Sequence, residues 1–304
     1  VTSTDTDPVP SASSAPPCVG VVGVGAMGGP MAVRMHRAGL AVRAVDVADE
    51  RVAAVRADGI EAGTDLDLLA GCDVVVAVVA TGDQLLALLD AAVVRRGALR
   101  GAVLVVASTV GPAVVRDAAA RAAEHGLAVV DCPVTGGVPG AEAGTLTLLV
   151  SGAADDVERA RPALEPAGTL HVVGPHPGDG QSLKLVNQML ASVHLAAAGE
   201  ALAFAERLGL DLDVVTGLLP TGAAASWMLA DRGPRMALPA ADRPTRTRLS
   251  VFVKDSGLVA GTAAETGAHA PLTTAARAAW LRAAELGLDD GDDSGVVDVF
   301  RAGG

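Results

Sequence analysis

From Cys18 onward, short apolar runs alternate with segments whose apolar residues recur at helical spacing. Cys18 to Gly23 is apolar and is followed by spaced glycines, then by a 3.6-residue pattern through Met27, Met31, Val33 and Met35, which predicts strand, turn and helix. Ala41 to Val47, Asp73 to Val79, Ala102 to Ala107, Leu127 to Val130, Thr145 to Ser151 and Thr169 to Val173 continue the strand series, with helical segments such as Asp155 to Leu164 between them. Near-continuous apolar strands separated by helices predict a doubly wound α/β fold, a parallel sheet covered on both faces.

The alternation stops at Gly174 to Gly180, which concentrates Gly and Pro. Gln181 to about Leu208 then reads as one long helix, followed by helical segments at Val214–Leu219, Ser226–Arg232, Val253–Glu265 and Leu272–Glu285. The chain therefore divides into a tail (1–17), a sheet domain (18–180) and an all-helical domain (181–304) that opens with an interdomain helix. The tail is rich in Ser, Thr, Asp and Pro and lacks a basic start or an apolar run, so it reads as disordered and not as a signal peptide.

Half of the 304 residues are hydrophobic, enough for a large core without staples. A net charge of −12 repels phosphate backbones and anionic membranes, which leaves a small molecule as the expected partner. Three cysteines without metal-type spacing argue for a reducing, cytoplasmic setting and against a disulfide framework or a metal site. Tyrosine is absent, so tyrosine-based proton transfer is excluded. Lys184 and Lys254 are the only lysines among 23 basic residues, which marks positions where a titratable amine or compact ammonium is not replaceable by guanidinium.

Gly23-Val24-Gly25-Ala26-Met27-Gly28 fits the G-x-G-x-x-G fingerprint and sits between a strand and a helix, as a Rossmann-type dinucleotide site requires. Its three glycines suit a tight turn, close approach of a pyrophosphate and close helix packing, while the helix N-terminus favours phosphate charge. Asp46 follows at the end of the second strand, where an acid accepts the ribose hydroxyls and repels an additional phosphate. NAD is thus expected over NADP.

Four motifs in order make the chain resemble the beta-hydroxyacid dehydrogenase family. They are Gly23 to Met31; Asp131-Cys132-Pro133-Val134-Thr135-Gly136-Gly137 with Gly140-Ala141 and Gly144 to Thr147; Gly178-Asp179-Gly180 with Lys184 to Asn187; and Lys254-Asp255. The resemblance runs from about Val19 to Phe300. It implies a catalytic lysine at Lys184, a cofactor-contacting lysine at Lys254, Thr109 at the nicotinamide end, and Val79, Ala80 and Gln84 along the cofactor. It also implies that Thr135, standing for the usual Ser, joins Gly136 and Gly137 in holding substrate. In detail the likeness is greatest to the L-threonate dehydrogenase branch, through Lys184 to Ala191, Val193-His194, Ser226-Trp227-Met228 and Asp292-Asp293-Ser294. Ala223 to Ala225 departs from that branch by lacking an amide before Ser226.

Removing hydride from a secondary alcohol leaves a proton on oxygen, so the site needs a base in one direction and an acid in the other. Lys184, in apolar surroundings, suits both, because desolvation favours its neutral form. Asn187 and Gln188, three and four residues on, share its helical face and are expected to orient a small hydroxy acid or its oxo acid. His194 reads as a core histidine, Trp227 and Trp280 as packing residues, and Asp289 to Asp293 as a solvated turn. Competing readings are an NADP-linked reductase of tartronate or succinic semialdehyde, against which Asp46 speaks, an imine reductase, which typically lacks the lysine, and an inactive nucleotide-binding partner protein. An Ala-rich helical domain with more apolar surface than one sheet domain covers predicts a homodimer or homotetramer.

Overall fold

A computed structural model describes residues 16–90 and 99–302, so most of the expected tail lies outside the described residues. In chain order the first part runs β1 (Cys18–Val22), α1 (Gly28–Arg37), β2 (Ala41–Val45), α2 (Asp49–Ala57), β3 (Glu61–Gly63), β4 (Val74–Ala77), α3 (Gly82–Leu89), β5 (Val103–Val106) and α4 (Pro112–Ala123). It continues with β6 (Ala128–Asp131), β7 (Val134–Thr135), α5 (Gly137–Ala143), β8 (Leu146–Ser151), α6 (Ala154–Leu164) and β9 (Gly168–Gly174). The strand order is β3-β2-β1-β4-β5-β6-β8-β7, with β9 beside β8.

Strand periodicity explains the unbroken apolar runs. Val74, Val76, Val103 and Val105 point to one face and pack with Met31 and Met35 of α1 and Val157 and Leu164 of α6. Val75, Ala77, Leu104 and Val106 point to the other and meet Leu85 and Leu88 of α3 and Val115 and Ala118 of α4. Both faces are buried, so no position in these strands is free to be polar.

The expected all-parallel arrangement holds from β3 through β6, but β8 runs antiparallel to β6 and β7 antiparallel to β8. Apolar patterning carries no strand direction, and β3 and β7 are too short to show a period. The second strand stops at Val45, and Val47 is exposed.

The helical part comprises α7 (Asp179–Arg207), α8 (Leu212–Leu218), α9 (Trp227–Ala237), α10 (Leu249–Thr266), α11 (Pro271–Glu285) and α12 (Val297–Arg301). Leu195 and Leu202 of α7 are wrapped by Leu229, Met236, Phe252 and Trp280. Trp280 stacks on Phe252 at 4.8 Å between ring centroids and donates its indole N–H to Ser192 Oγ at 2.7 Å. The first turn of α7 lands on the sheet through Gly180, where a side-chain carbon would come within 2.4 Å of Leu149 O. One helix thereby belongs to both parts of the molecule.

Three readings of single residues change. His194 is exposed on α7, not in the core. Trp227 is 66% exposed and lies under the Arg232 guanidinium at 5.0 Å instead of packing the domain. Asp292 and Asp293 are buried, not solvated: Arg235 Nε donates to Asp292 Oδ1 at 2.9 Å and Arg232 Nη2 to Asp293 Oδ2 at 3.0 Å.

Candidate active site

The carboxyl ends of β1, β4, β5 and β6 define the site. Strand order reverses between β1 and β4, the switch point at which doubly wound sheets open a crevice. The glycine loop leaves β1 there. Gly23 has φ +87°, and a side-chain carbon on it would lie 2.4 Å from Val78 O. A carbon on Gly28 would lie 2.0 Å from Gly23 O, so α1 packs this closely only with glycine at that position. Gly25 behaves differently: the same carbon would meet only the Arg51 guanidinium, at 3.5 Å, so the loop is open on that side. Ala26 is exposed and Met27 caps α1, whose N-terminus carries the partial positive charge that suits a pyrophosphate. The loop therefore fits a dinucleotide.

Asp46 lies just past β2 and is 5% exposed. Its Oδ2 accepts from Val24 N at 2.8 Å and its Oδ1 from Ala48 N at 3.0 Å, which fixes the carboxylate beside the glycine loop. Val79 N donates to Ser108 Oγ at 2.7 Å and Ala80 N to Gln84 Oε1 at 2.8 Å, so both N–H groups are already engaged. Gln84, expected to lie along the cofactor, completes a capping box with Thr81. It shapes the rim through the backbone.

Two buried residues outside the expected set hold the loop that follows β5. Gln181 Oε1 accepts from Val110 N and Gly111 N, both at 3.0 Å, and its Nε2 donates to Ser108 O and Asp131 Oδ1, both at 2.9 Å. Asp131 Oδ2 also accepts from Gln181 N and Gly178 N, and from Ser151 Oγ. Burial pushes the Asp131 carboxyl up, opposed by these hydrogen bonds. Gln181 precedes Lys184 by three residues on one face of α7, so the same turn grips the loop and presents the amine. A polar residue one turn before Lys184 on a face that must be buried was the available signal.

Lys184 is 7% exposed, and its Nζ donates to Thr135 Oγ1 at 3.2 Å. Its amine is drawn down to about 8 by burial, with Asp255 opposing and Lys254 reinforcing the shift. Thr135 ends β7, and Gly136 and Gly137 follow it, exposed at the start of α5. Lys254 donates to Thr109 O at 2.8 Å and lies 3.0 Å from Asp255 Oδ1. Gln188, expected to meet substrate, is buried with its amide engaged at both ends: Nε2 donates to Asp255 Oδ2, and Oε1 accepts from Asn187 Nδ2 at 2.9 Å. Asn187 is the exposed member of this chain. The network Asn187–Gln188–Asp255–Lys254–Thr109 thus links the two lysines' surroundings through one buried carboxylate.

Residues 18–174 match the family described as the NAD binding domain of 6-phosphogluconate dehydrogenase. Residues 178–300 match the NAD-binding family of NADP-dependent 3-hydroxyisobutyrate dehydrogenase. The chain belongs to the beta-hydroxyacid dehydrogenases. It is 35% identical over 285 residues to L-threonate dehydrogenase of Cupriavidus necator, covering 93% of this chain and 95% of the relative. It is 34% identical to 3-hydroxyisobutyrate dehydrogenase of Pseudomonas aeruginosa, covering 85% and 89%. The crystal structure of 3-hydroxyisobutyrate dehydrogenase from Salmonella typhimurium superimposes with a TM-score of 0.83 at 32% identity, covering 93% of this chain and 99% of that one. Membership makes the chain an NAD(P)-dependent dehydrogenase acting on a CH–OH group, with a Rossmann-type sheet domain followed by a helical domain. No helix among the described residues is long and apolar enough to cross a membrane.

Proposed function

We propose that this beta-hydroxyacid dehydrogenase oxidises a small sugar acid of the L-threonate type with NAD, Lys184 exchanging the proton of the reacting hydroxyl. The observation that carries the reading is a buried amine, shifted toward its neutral form, in hydrogen-bond contact with the Thr135 hydroxyl. The likeness to five L-threonate dehydrogenases at 32–35% identity supports the substrate class.

Gly23, Gly25, Ala26, Met27 and Gly28 would hold the pyrophosphate of the cofactor, Asp46 its adenosine ribose, and Val79, Ala80, Thr109 and Lys254 its nicotinamide side. When bound, the nicotinamide supplies the hydride acceptor. Neutral Lys184 takes the hydroxyl proton as the carbonyl forms, and its ammonium returns a proton in the reverse direction. Gly136 and Gly137 offer backbone N–H groups to the substrate carboxylate beside the Thr135 hydroxyl, and Asn187 offers its exposed amide. Gln188 and Asp255 hold Asn187 and Lys254 in place. Excluding water around Lys184 keeps its proton affinity matched to that of its task near neutral pH. The enzyme works as a cytoplasmic homo-oligomer on this reading.

The test is reduced-cofactor production with threonate, erythronate, 3-hydroxyisobutyrate and glycerate side by side. Threonate or erythronate turning over fastest is expected. Preference for 3-hydroxyisobutyrate would overturn the substrate class, and turnover by uncharged alcohols as fast as by acids would overturn the carboxylate site.

A further inference from the structure

Asp46 was expected to disfavour a phosphorylated cofactor because its carboxylate repels the additional phosphate, and the residue that follows it, Val47, carries no compensating charge. The structure brings a cation to it from elsewhere. Arg51, in the first turns of α2, places Nη1 3.6 Å from Asp46 Oδ2, and the same atom lies 3.5 Å from the position a side-chain carbon on Gly25 would take. The guanidinium therefore spans the gap between the acid and the open side of the glycine loop.

We infer that Arg51 sets how strongly this chain discriminates against NADP, by offering the 2′-phosphate a cation beside the carboxylate that repels it. The inference rests on the cofactor placement proposed above. In that placement the ribose 2′ oxygen sits against the acid that ends β2. An atom about 3 Å from Asp46 Oδ2 is then at most about 6.6 Å from Arg51 Nη1, and a phosphate extends further toward it.

Asp46 cannot swing away to make room, because both its oxygens are held by backbone N–H groups. Arg51 can move: its side chain is 53% exposed, and a 3.6 Å ion pair at such a surface is weak. The other arginines of β2 and α2 are committed elsewhere. Arg56 donates from Nε and Nη2 to Ala62 O, and Arg43 donates to Leu68 O and Ala70 O. Arg51 makes no hydrogen bond among the described residues, so its five N–H donors remain for a ligand. Asp49 and Glu50 on the same helix keep the local charge negative, which leaves NAD preferred while Arg51 limits the margin.

Direct binding measured by titration calorimetry tests this without turnover. Wild-type protein is expected to bind both cofactors, NAD more tightly. Arg51→Ala should weaken NADP about tenfold or more, the scale of a lost charge-assisted hydrogen bond, while NAD stays within about threefold. Arg51→Lys should restore part of the NADP affinity. An unchanged ratio of the two dissociation constants in Arg51→Ala overturns the inference. So does an equal loss for both cofactors, which would make Arg51 a support of the glycine loop. Wild-type protein that binds NAD but not NADP overturns it too and leaves the proposed function standing, whereas protein that binds neither overturns both.

Discussion

An amine that takes a proton from an alcohol has to be neutral for part of its working cycle, and Lys184 sits where water does little to hold it charged. Because its titration is drawn down to about 8, the ammonium predominates below that pH and the amine above it. Oxidation requires the amine, so turnover of the hydroxy acid should rise as pH climbs through about 8, and reduction of the oxo acid should fall over the same range. Paired pH–rate profiles check the sign. Lys184→Arg keeps the charge but not the titration, so turnover should drop by roughly 10²- to 10⁴-fold while NAD still binds. A variant that kept most of its turnover would remove Lys184 from the chemistry. Asp255 is the counterpart that composition did not reveal: the motif Lys254-Asp255 was visible, but only the fold shows its carboxylate between Gln188 and Lys254. Asp255→Asn should lower the Lys184 titration further by removing the charge that raises it, moving the oxidation profile to lower pH.

Two elements show how far local pattern reaches. The strand-turn-helix at Cys18 to Arg37 was legible because its glycines are demanded by local geometry, Gly28 above all. Gly28→Ala should therefore abolish tight NAD binding, since the added carbon would have to displace Gly23 O from 2.0 Å. Calorimetry on the folded variant, with circular dichroism to verify the fold, measures this. The solvated turn expected over Asp289 to Asp293 is found only up to Gly291; Asp292 and Asp293 were misread because a run of acids looks solvated when its partners are not in view. Arg232 and Arg235 come from α9, 61 and 57 residues before the carboxylates they meet. Their pairing anchors that loop to the helical domain. Arg235→Met should cost on the order of 3–5 kcal/mol, because it leaves Asp292 buried without its cation. Urea denaturation should show the loss, and a cost below about 1 kcal/mol would mean that the hydrogen bonds from Arg246 N, Ser294 N and Ser294 Oγ satisfy the carboxylate without the cation.

At the scale of the whole molecule, alternation of strands and helices followed by helices alone was enough for the architecture, and the antiparallel turn of β8 was not, since nothing in an apolar run encodes direction. What the architecture leaves uncovered is also informative. Phe204 and Leu208 at the end of α7, Leu218 in α8 and Trp227 at the start of α9 are each 59–66% exposed, although single exposed residues of this kind need no explanation. Their concentration in one stretch of a domain whose interior is already filled by Leu195, Leu202, Met236 and Trp280 does call for one. A second copy of the chain meets the requirement with the same surface on both sides, as a two-fold interface does. Light scattering at micromolar concentration should accordingly give a dimer or tetramer, and Phe204→Glu with Leu218→Glu should shift it toward monomer while leaving the Rossmann-type domain able to bind NAD. Wild-type protein that stays monomeric up to about 100 μM, well above the dissociation constants of stable interfaces, would show that these side chains face water in the working enzyme.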